Sequence, residues 1–326
     1  MRELISLPLT GAVLSEYPGG PAEAARACGC EGVEALWGGE ALRAEIPAGL
    51  CVGYHLTFWP DWLDFWRGDR DALRRKFGSE AAWRAFYGGA EGRDTLLALY
   101  RADLERAQAL GAQYVVFHVS DVSLEEGYTY RWLHTHREVL DAGAQAANLL
   151  LEGLAPKLLF LVENQWWPGF TFTDPAQTRR LLDAISYPNK GIMLDTGHLL
   201  NTGLSLNSQA EGAAYLHRML DEHGALCRYI RGVHLHQSLS GAYVRAHTGA
   251  PPPHWRGEAD YLKKFSESYA HILRIDTHSP WDSPEIAAVI RRIGPDYLVH
   301  ELSAAGRAER EARVAVQRRA LGLEGR

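Results

Sequence analysis

The segment Leu194-Asp195-Thr196-Gly197-His198 ends a short apolar run that begins at Gly191. A run of this length, bounded by turn-forming and polar residues, is typical of a buried strand in a parallel sheet. Two metal-binding side chains, Asp195 and His198, follow directly at its C-terminal end. The segment therefore predicts a strand whose C-terminal end bears side chains with a chemical role rather than side chains that pack in the core.

Seven other apolar runs of strand length occur along the chain, and they alternate with longer segments of helical period. This alternation indicates βα units around a parallel sheet. The predicted strands are Leu4 to Leu9, Gly32 to Trp37, Leu50 to Leu56, Tyr114 to Val119, Leu158 to Glu163, Gly191 to Asp195, Ile230 to His236 and Tyr297 to Glu301. The predicted helices are Pro21 to Cys28, Thr95 to Leu110, Tyr130 to Leu154, Pro175 to Ile185, Ala210 to His223, Ser283 to Ile293 and Ala305 to Leu323.

Eight βα units in 326 residues predict a single (β/α)8 TIM barrel, an α/β fold in which residues 1 to 326 form one domain. No repeat, linker or low-complexity tract divides the chain. Two connections are long, Phe58 to Arg93 after the third strand and Leu239 to Trp281 after the seventh. Ordered loops of this length are often lids or binding loops.

The charge balance limits the partners that we expect. The chain has 34 Lys and Arg against 40 Asp and Glu, a formal net charge of -6, with no basic run. That balance disfavours binding to a nucleic acid backbone. No window is apolar enough for a membrane span, and the four cysteines are too few for a disulfide scaffold. We expect a cytoplasmic protein with a small-molecule partner, neither nucleic acid nor membrane as partner, and possible homo-oligomers.

Six of the predicted strands end in side chains that can bind metal ions. These are His55, His118, Glu163, Asp195, His234 and Glu301. One such residue alone is more often a hydrogen-bonded rim residue, but in a TIM barrel the C-terminal strand ends meet at one mouth. Glu, Asp and His together suit a divalent cation such as Zn, Mn, Co or Mg. The joint pattern predicts a metal site, near which His198, Asp276 and His278 can add ligands.

Four segments carry a resemblance to a known family. They are Leu194-Asp195-Thr196-Gly197-His198, Val162-Glu163-Asn164, Val233-His234-Leu235-His236 and Val299-His300-Glu301. In this pattern the chain resembles the xylose isomerase-like TIM barrels, which include sugar isomerases, sugar epimerases and endonuclease IV. The resemblance implies that Glu163, Asp195, His234 and Glu301 hold one divalent ion. In the ketose epimerases of this family the two glutamates also exchange protons with the substrate, through a metal-stabilised enediolate.

The chain departs from two members of the family. Asn164-Gln165-Trp166 follows Glu163, so the lysine that xylose isomerase places two residues after this glutamate is absent. Gln237-Ser238 follows His236, where the epimerases usually carry an arginine. We therefore predict an isomerase or epimerase of a sugar, a polyol-derived ketone or a related hydroxycarbonyl compound. A dehydratase of the same barrel family stays an alternative, as does a noncatalytic sugar-binding barrel, against which Glu163 and Glu301 argue.

An endonuclease IV-like phosphodiesterase is the main alternative, because such an enzyme uses three metal ions. The additional ligands that it needs are present as His55, His118, His198, Asp276 and His278. The net negative charge disfavours DNA binding, so we predict that these residues contact the substrate beside one strongly bound metal ion. Trp166 and Trp167 follow Glu163 closely and are predicted to bind the substrate, and His236 shares the strand face of His234.

The other histidines are predicted to have no role in the site. His134, His136, His217 and His223 fall in predicted helices, and these four residues and His271 are interpreted as solvated surface residues. His300 directly precedes Glu301, so strand alternation turns it toward the helix layer.

Overall fold

The computed structural model describes residues 1–39, 46–258 and 260–324, in which eight parallel strands form a closed barrel in chain order. The strands are β1 (Arg2–Leu9), β2 (Gly32–Trp37), β3 (Cys51–His55), β4 (Tyr114–His118), β5 (Leu159–Glu163), β6 (Lys190–Asp195), β7 (Ile230–Leu235) and β8 (Tyr297–His300). Each predicted strand coincides with one of these to within two residues at either end. The predicted TIM barrel fold is confirmed.

Helices surround the barrel and also fill its long connections. They are α1 (Gly11–Ser15), α2 (Gly20–Ala27), α3 (Leu63–Arg67), α4 (Arg70–Phe77), α5 (Glu80–Phe86), α6 (Arg93–Ala109), α7 (Leu124–Thr129), α8 (His136–Leu150), α9 (Pro175–Ala184), α10 (Thr196–Asn201), α11 (Gln209–His223), α12 (Gly241–His247), α13 (Tyr261–Ile275), α14 (Glu285–Ile293) and α15 (Arg307–Leu321). Two short 3-10 helices, Gly224–Tyr229 and Pro253–Gly257, complete the set. Within the described ranges, no helix has the length and apolar character needed to cross a bilayer.

The barrel interior is a packed core below a polar mouth. Leu4, Val116, Leu161 and Met193 are fully buried inside the barrel and belong to one apolar cluster. Strand alternation sends neighbouring residues outward, where a larger apolar cluster joins the strands to the helices. Apolar residues fill the lower barrel, so the polar strand ends define the site at the mouth.

The two long connections are ordered and contain helices. The connection after β3 forms α3, α4 and α5, and the one after β7 forms α12 and α13. Phe58 from the first and Ile272 from the second line the same cavity above the strand ends. The predicted long loops therefore cover the mouth of the barrel.

The predicted helix from Tyr130 to Leu154 is wrong in its first turn. A separate helix, α7, ends at Thr129, and its C-cap Tyr130 has a left-handed φ of 54°. Helix α8 begins only at His136, after the N-cap Thr135. A left-handed residue breaks the helical hydrogen-bond pattern, so the two helices cannot be continuous.

The interpretation of the helical histidines as solvated is also wrong for most of them. His134 lies in the turn before α8 with a side chain only 10% exposed, and His136 is half-buried against Gly169. His223 and His271 are buried. Hydrogen bonds compensate for the burial of these rings, as for His223, which pairs with the Thr178 hydroxyl and the Met219 carbonyl.

His134 belongs to a buried ion cluster that ties the first long connection to the segment after β4. Its Nδ1 lies 2.8 Å from Asp121 Oδ2, and its Nε2 lies 3.1 Å from Asp64 Oδ1. Lys76 Nζ completes the cluster at 2.6 Å from Asp61 and 2.7 Å from Asp64. Removing one partner of such a cluster leaves an uncompensated buried charge, which is strongly destabilising.

We expect the contribution of His134 to stability to depend on pH. Hydrogen bonds to Asp121 and Asp64 raise the pKa of His134 to about 10, above the usual value near 6.5 in an unfolded chain. The stabilisation is therefore complete below about pH 6.5 and is lost as the pH rises through 10. His134→Gln should lower the free energy of unfolding by about 3 kcal/mol at pH 6, with a smaller loss at pH 10.

Urea unfolding of both proteins at the two pH values measures this effect. His217→Gln, on the outer helix α11, is the control and should change the free energy of unfolding little at either pH. Equal losses for His134→Gln at pH 6 and pH 10 would contradict the prediction.

Candidate metal centre and active site

Four side chains converge at the centre of the mouth. Glu163, Asp195, His234 and Glu301 each offer a ligand atom, and these atoms all lie within 4.8 Å of one another. His234 Nδ1 lies 2.9 Å from Glu301 Oε2, 3.4 Å from Glu163 Oε1 and 3.8 Å from Asp195 Oδ2. The side chains come from the ends of β5 to β8, so the barrel itself positions them. We call these four residues the central group.

A second set of ligand atoms shares Glu163 with the central group. His55 Nε2 and His118 Nε2 lie 3.3 Å and 3.1 Å from Glu163 Oε2. The backbone carbonyl of Leu56 lies 3.0 Å from His55 Nδ1, which fixes the ring and leaves Nε2 directed at the carboxylate. His55, His118 and Glu163 form the first flanking group.

A third set lies on the other side of Glu163. His198 Nε2 and His278 Nε2 lie 3.1 Å and 2.8 Å from Asp276 Oδ2. His198 also faces the central group, with Nδ1 3.1 Å from Glu163 Oε1. His278 has a φ of 44°, a left-handed conformation that is uncommon outside functional sites for a residue other than glycine. His198, Asp276 and His278 form the second flanking group.

The donor atoms fit divalent cations. Among the described residues, neither carboxylate oxygen of Glu163 has a hydrogen-bond partner of good geometry, although four imidazoles surround them. In the same part of the chain, Glu301 Oε2 and His234 Nδ1 are also buried without a hydrogen-bond partner of good geometry. Buried polar atoms almost always have partners, so atoms that converge without bonding one another are expected of metal ligands. Carboxylate and imidazole donors suit Zn, Mn, Co or Mg.

The electrostatics of the central group also favour cations. Burial alone would raise the pKa of Glu163, but the charges of His118 and His234 hold it well below its usual value. Burial alone would lower the pKa of His234, but the carboxylates of Glu301 and Glu34 raise it well above its usual value. The carboxylates therefore stay ionised, as ligands of a divalent cation must be.

Glu34 supports the central group and is not among the predicted site residues. Its Oε1 lies 2.9 Å from His234 Nε2, and the hydroxyl of Tyr114 donates to its Oε2 at 2.7 Å. A carboxylate in this place fixes the orientation of a ligating imidazole and raises its basicity. The signal in the sequence is an acidic residue in the middle of the apolar run Gly32 to Trp37, where it is fully buried.

Glu34→Gln is expected to weaken metal binding without removing any ligand. Loss of a supporting carboxylate of this kind typically lowers metal affinity by about 10- to 100-fold. Competition titration with a chromogenic chelator measures the affinity. Glu31→Gln, an exposed glutamate just before β2, is the matched control, and equal affinities for the two variants would contradict this role of Glu34.

Comparison with protein families is consistent with this geometry. A model of the family described as the xylose isomerase-like TIM barrel matches residues 22–319. The chain belongs to the xylose isomerase-like TIM barrel family. Comparison with curated proteins gives no match.

Solved structures of related fold are distant in sequence. A xylose isomerase-like TIM barrel/4-hydroxyphenylpyruvate dioxygenase fusion protein is 16% identical with a TM-score of 0.50; the match covers 98% of this chain but only 42% of the fusion protein. The 3-keto-D-glucoside 4-epimerase YcjR from E. coli is 12% identical, with a TM-score of 0.49 and coverage of 98% and 99%. An L-ribulose 3-epimerase is 14% identical, with a TM-score of 0.49 and coverage of 98% and 93%.

In this xylose isomerase-like barrel, steric hindrance explains why a glycine stands at position 197 of the Asp195-Thr196-Gly197-His198 segment. Asp195 caps α10 by accepting a hydrogen bond from the His198 amide at 2.6 Å. A Cβ at Gly197 would overlap the imidazole ring of His236. His236 Nε2 lies 2.9 Å from Asp195 Oδ2, and its ring stacks on His278. His236 is not among the residues lining the cavity, but besides bonding Asp195 it offers a ligand atom that groups with those of His198, Asp276 and His278, so its predicted role in the site stays a prediction.

A cavity of about 370 Å³ opens onto the metal-binding side chains. The predicted site residues that line it are His55, His118, His198, Asp276, His278, Glu301, Trp166 and Trp167. Glu301 has a side chain 15% exposed, whereas those of Glu163 and Asp195 are almost fully buried. The volume is in the range of pockets for small molecules.

Aromatic side chains form much of the upper wall of this cavity. Trp166 and Trp167 lie with ring centroids 4.1 Å apart, and Phe58 stacks on Trp167. Other tryptophans near the mouth hold the long connections in place, as Trp62 does by donating to the Ser120 carbonyl at 2.7 Å. Aromatic faces suit the C–H faces of sugars as well as other rings.

Proposed function

We propose that this chain is a divalent-metal-dependent isomerase or epimerase that acts on a sugar, a polyol-derived ketone or a related hydroxycarbonyl compound. The observation that carries the proposal is the position of Glu301. It is the most exposed carboxylate of the central group and it lines a covered cavity of small-molecule size. A carboxylate so placed can take a proton from a carbon next to a carbonyl and return it.

In this proposal the residues of the site have different roles. A divalent cation held by Glu163, Asp195, His234 and Glu301 would supply Lewis-acid polarisation of a substrate oxygen. Glu301 accepts and returns the proton at the cavity surface. Glu163, predicted as a second proton carrier, is 1% exposed and touches both flanking groups, so its access to substrate depends on how deeply the substrate reaches. The cavity-lining imidazoles of His55 and His278 can hydrogen-bond substrate oxygens.

The cavity wall supports a small-molecule partner. It contains aromatic, aliphatic, histidine and acidic residues, and no Lys or Arg is among its described lining residues. A site for a nucleic acid backbone needs basic side chains that displace counterions from phosphates. The covered, acidic mouth suits an uncharged sugar-like compound better.

Phosphodiester hydrolysis is the second candidate, and the two flanking groups favour it. Together with the central group they offer ligands for three ions around Glu163. Three divalent cations would outweigh the charge of Glu163, Asp195, Asp276 and Glu301 and would favour an anionic substrate. A single cation would leave the mouth negative, which disfavours an anionic phosphodiester and is compatible with an uncharged substrate.

Solvent exchange and metal content together distinguish the two candidates. We expect carbon-bound deuterium to enter at least one member of a panel of ketoses and inososes when the metal-loaded enzyme is incubated in deuterium oxide. We also expect one metal ion per chain after dialysis, because only the central group brings three carboxylates to one ion. Three retained ions together with nicking of abasic-site DNA would make the phosphodiesterase the primary function.

A further inference from the structure

A second cavity adjoins the metal-facing cavity and is of a different character. It encloses about 220 Å³ between the first long connection, α7 and α13. Six aromatic side chains line it: Phe58, Phe86, Trp167, Tyr261, Phe265 and Tyr269. We call this cavity the apolar annex. An apolar cavity of about 150 Å³ can hold a benzene molecule, so the annex has room for a substituted ring.

The annex and the metal-facing cavity share a wall. Phe58, Trp167, Tyr269 and Ile272 line both of them. A molecule whose polar end lies beside Glu301 can therefore extend past these residues into the annex. Because the two cavities share this wall, we assign the annex as the binding site for the part of the substrate that lies beyond its polar end.

Two polar residues of the annex wall have side-chain atoms without hydrogen-bond partners. Asp61 and Tyr261 line it, and in the described part of the chain neither Asp61 Oδ2 nor the Tyr261 hydroxyl has a hydrogen-bond partner. Both residues are more than nine-tenths buried. Buried polar atoms without partners are costly, and a ligand hydroxyl can satisfy them.

We propose that the apolar annex binds a hydroxylated aromatic ring carried by the substrate. Aromatic walls favour a ring over an alkyl chain because offset and edge-to-face contacts add to apolar burial. A phenolic hydroxyl on that ring pairs with one of the polar residues of the lining, which are Asp61, Ser123, Tyr261 and Ser268. This inference rests on the proposed function, which assigns a hydroxycarbonyl group to the polar end of the substrate. The whole substrate would then be a hydroxycarbonyl compound linked to a phenol-like ring.

Binding of para-fluorophenol to the protein loaded with Zn tests the annex, with fluorine NMR as the readout. Ser268 on α13 is buried and lines the annex, so Ser268→Leu fills part of it. The matched control is Ser266→Leu, on the same helix but exposed. We expect binding to wild type and Ser266→Leu, and affinity about tenfold lower for Ser268→Leu because the apolar volume is occupied.

A second filling variant covers the case in which Ser268→Leu does not fold. A Cβ at Gly127 in α7 lies 3.5 Å from Ile272 Cδ1, an ordinary contact, so Gly127→Leu directs a side chain toward the annex without displacing the backbone. Absence of para-fluorophenol binding to wild type, or equal binding to every folded variant, would overturn the proposal. Either result leaves the deuterium-exchange test of Glu301 chemistry untouched, so the two failures are distinguishable.

Linkage of the annex to the metal-facing cavity needs a two-part probe. We compare hydroxyacetone with a ketol that carries a para-hydroxyphenyl group, using calorimetry on the metal-loaded protein. The aromatic ketol should bind about tenfold more tightly to wild type and Ser266→Leu, since the ring buries apolar surface, and this advantage should vanish in Ser268→Leu. An advantage of equal size in all three proteins would show that the ring binds outside the annex.

Discussion

Glu301→Gln is expected to lower kcat/KM by about 1,000-fold, because positioned acid–base groups contribute about 10²- to 10⁴-fold. Glutamine is nearly isosteric with glutamate but cannot accept a proton from carbon. Because Glu301 is also a proposed ligand, metal content must be measured beside turnover, on whichever substrate shows deuterium exchange. Glu105→Gln, an exposed site on α6, is the matched control and should keep wild-type turnover.

Glu163→Gln distinguishes the ligand role from the proton-transfer role. Glu163 contacts His55, His118, His198 and His234, so its loss should abolish turnover and also reduce metal content. Glu301→Gln should retain more metal, since among the described residues the Glu301 carboxylate pairs with one imidazole, that of His234, whereas Glu163 pairs with four. Wild-type turnover by metal-loaded Glu301→Gln would show that this carboxylate is at most a ligand.

The strands and the barrel could be predicted because local pattern and tertiary structure agree there. Buried parallel strands need short apolar runs, and each run stands between polar or turn-forming residues. The alternation of side chains along β8 also predicts that His300 and Glu301 point to opposite sides of the strand. His300 points to the helix layer, where Glu3 and Gln317 bond its ring, and Glu301 reaches the central group.

The helix from Tyr130 to Leu154 shows where periodicity misleads. The apolar spacing continues through the turn, but two capping boxes mark the real boundaries. Ser123 with Glu126 begins α7, and Thr135 with Glu138 begins α8. Such pairs satisfy free amides at a helix start and are visible in sequence. Giving them more weight than the apolar spacing would have predicted two helices, one beginning after Ser123 and the other after Thr135.

The remaining site residues depend on contacts that no local pattern encodes. Glu34 and His234 are 200 positions apart and meet only because β2 and β7 face the same barrel interior. The burial of His134 likewise depends on Asp64 and Asp121, which come from two different connections. Residue types at strand ends predict which side chains reach the mouth, and the closed barrel decides which of them touch.

Removal of divalent cations is expected to destabilise the whole fold. The central group brings Glu163, Asp195 and Glu301 together in a buried place, and a bound cation relieves their mutual repulsion. A ligand that binds only the folded state at 1,000 times its Kd stabilises that state by about 4 kcal/mol. Addition of Mn, Co, Zn or Mg to chelated protein should raise the free energy of unfolding by an amount of this order.

Urea unfolding with and without each metal ion measures the effect, and elemental analysis of protein purified without chelator measures bound metal. Asp195→Asn should reduce the stabilisation because the variant loses a ligand charge at the centre of the site. Asp183→Asn, at an exposed position of α9, is the matched control and should respond to metal as wild type does. If the wild-type protein holds no divalent ion and none of the four changes its stability, then the carboxylates are balanced by the surrounding imidazolium groups alone and the site is not a metal centre.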